Sequence, residues 1–416
     1  MTRRLVVAAS LVLSGAIFLT PAYSSQAPAA GIDSGTAHPQ SGGAYAGRND
    51  AKPDLIFING NVLTMDPNGG VAEAVAVAGE RIVAVGTTAA IKGMAGQTAR
   101  IIDLAGKTLL PGFIDSRLHG PLGFWELEVG ASLTDKDGRP LGRPEEIEAR
   151  LKSWKAEHPP APYAWVVAAG FDPKMSASRK FDRDWADQMI ADNPLLLLSL
   201  DHHVALLNSR AIELVGLQGV AVPEGSGEIV RDARGRPSGL VREVPVFLVL
   251  NRIWALLPEE VRRDATVRFL DAAGRFGITT IGDPLMVPAD LALDESLLRD
   301  KALPVRIVAG TLREDAASNA AFDDYRKGKR SPDPERLSVG PSLQILDGSL
   351  LGWGAALFQV YRDSAWTSGF MTMPPERIAR LLADDAGDGG FLVEASGGLA
   401  VHLFLDAFDR LPAASR

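Results

Sequence analysis

Beyond residue 109 short apolar runs alternate with longer stretches of helical spacing, and few architectures accept that pattern. The runs include Leu109 to Ile114, Trp165 to Ala169, Leu195 to Leu200, Ile278 to Ile281, Val305 to Ala309, Leu343 to Leu346 and Phe391 to Val393. Between them lie helix-like stretches such as Pro144 to Glu157, Pro258 to Phe276, Pro375 to Asp385 and Ala400 to Leu411. Strands that alternate with helices imply a parallel sheet with helices outside it, an α/β fold. Closed on itself, such a sheet is a (β/α)8-type TIM barrel, with its chemistry at the C-terminal ends of the strands. An open doubly wound sheet is the rival. The first strand is not followed by a Gly-x-Gly-x-x-Gly turn, which disfavours a dinucleotide-binding version of that rival.

The residues before this region read differently. Residues 53–110 hold short apolar runs broken by Asn59-Gly60 and Gly79-Glu80 turns, and they predict a small all-β unit. Residues 25–52, rich in Ala, Gly, Ser and Pro, predict a flexible linker. Residues 1–24 read as a secretory signal peptide: Arg3-Arg4, an apolar run from Leu5 to Leu19, then Ala22 and Ser24 before a cleavage point. That run is shorter than the roughly 20 residues a spanning helix needs, so the expectation is export to the periplasm or medium with no stable membrane insertion.

Composition excludes several chemistries. There are no cysteines, which rules out disulfides, a thiol nucleophile and cysteine-ligated metal. The net charge of −8 argues against nucleic acid as a partner. Neither a Gly-x-Ser-x-Gly elbow nor a P-loop is present.

Leu109-Leu110-Pro111-Gly112-Phe113-Ile114-Asp115-Ser116-Arg117-Leu118-His119 resembles the first barrel strand of the amidohydrolase superfamily, where Pro-Gly-Phe-Ile-Asp precedes a His-x-His pair. Asp201-His202-His203 with Asn208-Ser209-Arg210-Ala211 resembles a segment of its family 3 branch, the YtcJ-like and N-substituted formamide deformylase-like proteins. So do Gly227 to Asp232 with Gly235 to Gly239, Gly277 to Thr280, Asp347 to Leu350, and Gly397 with Ala400-Val401. The β unit before them resembles one half of that superfamily's sandwich. The resemblance covers about residues 53 to 412. It implies a hydrolase that cleaves non-peptide C–N bonds, with a small-molecule amide as partner and a divalent metal, zinc for example, activating water.

The donor set departs from that pattern. Residues i and i+2 of a strand point the same way, so a His-x-His pair aims two imidazoles at one metal. Here the first position is Arg117, which has no lone pair to give. The lysine position of the family falls on Leu343 or Gln344, and a later histidine is replaced by Glu394. The family's remaining strands, its catalytic aspartate and its second sandwich half have no counterpart before Arg416, so the resemblance implies a C-terminally incomplete barrel whose open edges invite an oligomer.

These residues leave two readings open. In one, His119 and Glu394 hold a weakened metal site, and Arg117, His203, Asp283 and Asp347 line a substrate pocket. In the other the chain is a pseudoenzyme that binds a small molecule, or a truncated remnant. His119 is then a polar residue at the mouth, Asp283 a helix N-cap, and Glu394 the ion-pair partner of Arg117, since the charges that replace two ligands are opposite.

Overall fold

The computed structural model describes residues 45–46 and 52–411, apart from 68–69, 121–129, 162–163, 179, 223–225, 313–315, 328–330 and 385–390. The signal peptide and nearly all of the linker expected from the sequence lie outside the described residues. The described chain forms two compact units, one ending at Phe113 and the other starting at Ile114.

In the first unit a five-stranded sheet runs in the order Tyr45–Ala46, Arg81–Gly86, Ala74–Ala78, Leu55–Ile58 and Arg100–Asp103, beside a three-stranded sheet. Ala74–Ala78 and Arg81–Gly86 pair as the antiparallel hairpin expected around Gly79-Glu80, with Gly79 at φ 59°. Ile56 and Ile58 alternate inward from their strand and pack with Ala76, Val83 and Ile91. Ile91 lies on a short helix, Thr88–Lys92, that the all-β expectation did not include. Its N-cap Thr87 accepts the Ala90 N–H at 3.3 Å.

In the second unit Gly130–Ser132, Val166–Phe171 and Leu195–Ser199 run parallel. Both faces of this sheet are covered. Leu196 and Leu198 pack under the helix Val244–Leu256, while Leu195 and Leu197 pack with Ile147 and Leu151 of the helix Pro144–Glu157. Cover on both sides explains why these strands read as unbroken apolar runs. Val204–Leu207, Pro237–Glu243 and Gly227–Arg231 extend the sheet antiparallel. A second set follows the order Leu337–Val339, Arg306–Ala309, Ile278–Asp283 and Phe113–Asp115, the first three pairing in parallel.

The expected run from Leu109 to Ile114 splits into Thr108–Leu109 and Phe113–Asp115, because Pro111 has no N–H for a ladder. Pro341 acts similarly between Leu337–Val339 and Ser342–Ile345. The Gly340 N–H donates to Ala309 O at 2.8 Å and the Leu343 N–H to Thr311 O at 2.9 Å, and Ser342–Ile345 then pairs in parallel with Phe391–Glu394. The strands therefore form parallel arcs, and no closed sheet joins them among the described residues. Of those residues, no helix is long and apolar enough to cross a membrane.

Candidate functional site

The strand Phe113–Asp115 ends in a turn held by its own last residue. The Asp115 carboxylate accepts the Arg117 N–H at 3.1 Å, and the Leu118 N–H then donates to Gly282 O at 2.9 Å on the neighbouring strand. Glu394 is the final residue of Phe391–Glu394. Arg117 Nη2 donates to Glu394 Oε2 at 2.5 Å, with the side chains 32% and 9% exposed. A charge-assisted bond at that burial fixes Arg117, just past one strand, against the end of the other. The opposite charges do meet.

His119 turns to another partner. Its Nδ1 lies 3.3 Å from Asp283 Oδ1. Asp283, buried at the end of Ile278–Asp283, also accepts the N–H groups of Gly120 at 2.8 Å and Leu285 at 3.1 Å. Strand geometry stops at Asp115, so the expectation that residues 117 and 119 would aim at one point fails: Arg117 reaches Glu394 and His119 reaches Asp283. Nor is Asp283 a helix N-cap, because the next helix is capped at Val287. Asp283 instead lines a small cavity of about 30 Å³ together with Asp290 and Asp294. Burial pushes Asp290 up to about 6 against the Val287 N–H bond that lowers it, and the Asp283 charge adds to the rise. Asp294 is raised well above the usual carboxylate range by burial, then by the charges of Asp290 and Asp283.

Asp347 is a clasp. Its oxygens accept the backbone N–H groups of Ala356 at 2.8 Å, Ser396 at 2.8 Å and Gly397 at 2.7 Å, tying two loops together. Burial lifts its pKa to about 6 despite those bonds, with Glu394 contributing repulsion.

The best-built polar cluster surrounds His203. Its Nδ1 lies 2.6 Å from Glu243 Oε2. Glu243 also accepts the Ser349 N–H at 3.2 Å, and the Ser349 hydroxyl donates to Asp201, which accepts from Ser199 Oγ at 2.6 Å. Burial opposes a charge on His203, but Glu243, Asp201 and Glu394 outweigh it and raise the pKa to about 9. Burial likewise works against ionised Asp201, yet the His203 charge and the hydroxyls of Ser199 and Ser349 hold its pKa below the usual value. His203 was legible as a pocket candidate; Glu243 and Ser349 were not. The available signal was a charged residue inside the apolar stretch Leu240-Val241-Arg242-Glu243-Val244-Pro245.

A divalent metal does not fit these residues. A metal needs several lone-pair donors converging. The Glu394 oxygen is taken by a guanidinium, the facing nitrogen of His119 is turned to Asp283, and Leu343 is a buried apolar side chain. Among the described residues no three His, Cys, Asp or Glu side chains gather in a way that could hold a metal ion.

A family model described as the amidohydrolase family matches residues 100–414. The chain belongs to the amidohydrolase family. It is 32% identical over 242 residues to N-substituted formamide deformylase of Arthrobacter pascens, covering 56% of this chain and 43% of that protein. It is 26% identical over 373 residues to Protein LONG AFTER FAR-RED 3 of Arabidopsis thaliana, covering 87% of this chain and 62% of that one. It is also 26% identical over 376 residues to putative amidohydrolase YtcJ of Bacillus subtilis, covering 86% and 66%. The chain thus spans between two fifths and two thirds of these relatives. Among solved structures, uncharacterized metal-dependent hydrolases from Pyrococcus furiosus and Pyrococcus horikoshii OT3 share the fold. Their TM-scores are 0.60 and 0.62, at 23% and 20% identity, over 85% of this chain and 70% and 68% of theirs.

In this amidohydrolase-family chain the shared motifs also carry structure. Buried Asn208 caps the helix Ser209–Leu214 by accepting the Ala211 N–H at 2.9 Å. It accepts the Leu195 N–H at 2.9 Å, and its amide donates to Ile190 O at 2.7 Å and Asn193 O at 2.8 Å. Both lone pairs of the amide oxygen and both N–H groups of the amide nitrogen each serve a separate backbone group, which no other side chain of that size can do.

Proposed function

We propose that this chain binds a small amide-type molecule on an amidohydrolase scaffold of (β/α)8 type, using charged and hydrogen-bonding side chains in place of a bound metal. The observation that carries this reading is the Arg117–Glu394 pair at 2.5 Å, which puts a fixed cation where a metal-binding family needs a lone pair. Arg117 uses Nη2 for that bond and stays 32% exposed, so it keeps donors for a ligand oxygen. His203 adds a second donor nearby. An amide, with a carbonyl to accept and an N–H to give to the surrounding carboxylates, matches that mixture. The N-terminal apolar run supports export, and open parallel arcs support association with further chain or a second copy.

A second reading is favoured by the 32% identity to N-substituted formamide deformylase: hydrolysis of an amide C–N bond, with His119 and Glu394 rearranging to take zinc. Calorimetric titration of the purified chain with an N-substituted formamide, with and without zinc, separates the two. The proposed reading expects saturable binding that zinc leaves unchanged, with no amine released. Zinc-dependent turnover would replace it with the second.

A further inference from the structure

Glu243 occupies a place that the backbone is strained to provide. It follows directly from the strand into the helix Val244–Leu256 at φ 63° and ψ −136°, a region that side-chain-bearing residues rarely adopt. Two glycines make room for its carboxylate. A Cβ on Gly348 would stand 2.6 Å from Glu243 Oε1, and a Cβ on Gly354 would collide with the same oxygen. The carboxylate is buried and bound at both sides, by the Ser349 N–H at 3.2 Å and by His203 Nδ1 at 2.6 Å. The His203 ring is further held edge-on by Phe247, with centroids 5.7 Å apart.

None of this serves the helix start, where Glu243 makes no side-chain cap. It serves one imidazole. The other ring nitrogen, Nε2, has no hydrogen-bond partner among the described residues, and 16% of the side chain remains exposed. Glu394 acts on His203 electrostatically, so the Arg117–Glu394 pair lies within range of the same ring.

We infer that Glu243 is a positioning residue that anchors the His203 ring through Nδ1, so that Nε2 is presented to the carbonyl oxygen of the bound amide as a donor. This rests on the ligand-binding reading above for its ligand, and on geometry alone for the positioning. Glu243, Asp201 and Glu394 act on His203 with negative charge and favour the protonated ring, while Arg117 is the cation paired with Glu394. A burial-only role for Glu243 would stabilise the fold without fixing the charge of the histidine.

The test is a histidine ring titration by NMR on the whole chain, His203 being assigned with His203→Gln. The parent is expected to keep His203 protonated through pH 8. Glu243→Gln, which preserves shape but removes the charge, is expected to lower the midpoint by about one pH unit or more, as loss of a contacting carboxylate does. Gly354→Ala, which leaves Glu243 in place but crowds it, should lower it in the same direction. A parent His203 that titrates near its ordinary value overturns the inference without any variant, and so does a midpoint that neither substitution moves. With N-substituted formamide as the probe, Glu243→Gln should weaken binding about tenfold at pH 8, in line with losing one charged donor. If the parent binds no formamide, the ligand reading fails, while the ring titration still decides the role of Glu243.

Discussion

Arg117 and Glu394, 277 residues apart in the chain, are joined by a bond of 2.5 Å, one just beyond the strand Phe113–Asp115 and the other the last residue of Phe391–Glu394. Each neutralises the other, so removing one leaves a half-buried charge unpaired. Arg117→Met and Glu394→Gln should each destabilise by roughly 1–3 kcal/mol, with the double variant less destabilised than the sum by about 1 kcal/mol. Urea unfolding midpoints of the four proteins give the coupling. Strict additivity would show that the pair contributes nothing.

Asn208 links the strand Leu195–Ser199, the segment at Ile190–Asn193 and the helix Ser209–Leu214 through four hydrogen bonds. Asn208→Ala removes a helix cap and orphans buried backbone groups, and should lower stability by about 3 kcal/mol or more. Asn208→Asp should be equally damaging, since its acceptor-only carboxylate faces the carbonyls of Ile190 and Asn193. Thermal unfolding checks both. A drop within about 0.5 kcal/mol, as at an ordinary surface position, would refute the role.

The carboxyls of Asp290 and Asp347, each raised to about 6, and that of Asp294, raised further, make the folded chain hold protons that the unfolded chain has released. Folded pKa values above unfolded ones mean that the contribution of these groups to stability is complete at or below about pH 4 and is lost as pH rises through 6. Asp294 has buried surroundings and two like charges near it. Asp294→Asn should therefore be more stable than the parent at pH 8, with a shallower dependence between pH 4 and 8. Denaturant unfolding across that range is the measurement, and an unchanged slope would refute it.

His203 adds a second window. Its folded pKa of about 9 lies above the ordinary histidine value, so its contribution is complete below about pH 6.5 and is lost as pH rises through 9. Stability of the parent should keep falling between pH 7 and 9.5, and His203→Gln should remove that part of the decline.

Much of the fold was legible because burial leaves a pattern. The helix expected from Pro144 to Glu157 is found at those residues, and the apolar run Leu195 to Leu198 opens a strand, Leu195–Ser199, that is covered on both faces. The helix Val244–Leu256 escaped notice because its apolar residues are not confined to one stripe; it is buried on most sides. The charge swap that predicted Arg117–Glu394 was readable from residue types alone. The divergence of His119 was not, since it depends on where the strand stops. Glu243 was invisible for a similar reason: its position follows from an unusual φ and from two glycines over a hundred residues away in the chain.

Two contacts, Arg117–Glu394 and His203–Glu243, organise this site in the proposed reading in place of a metal. Metal analysis of the purified chain after incubation with zinc and gel filtration tests it most directly. The account predicts well under one zinc per chain, unchanged by His119→Ala. One tightly held zinc per chain, lost on His119→Ala and accompanied by turnover of an N-substituted formamide, would contradict it.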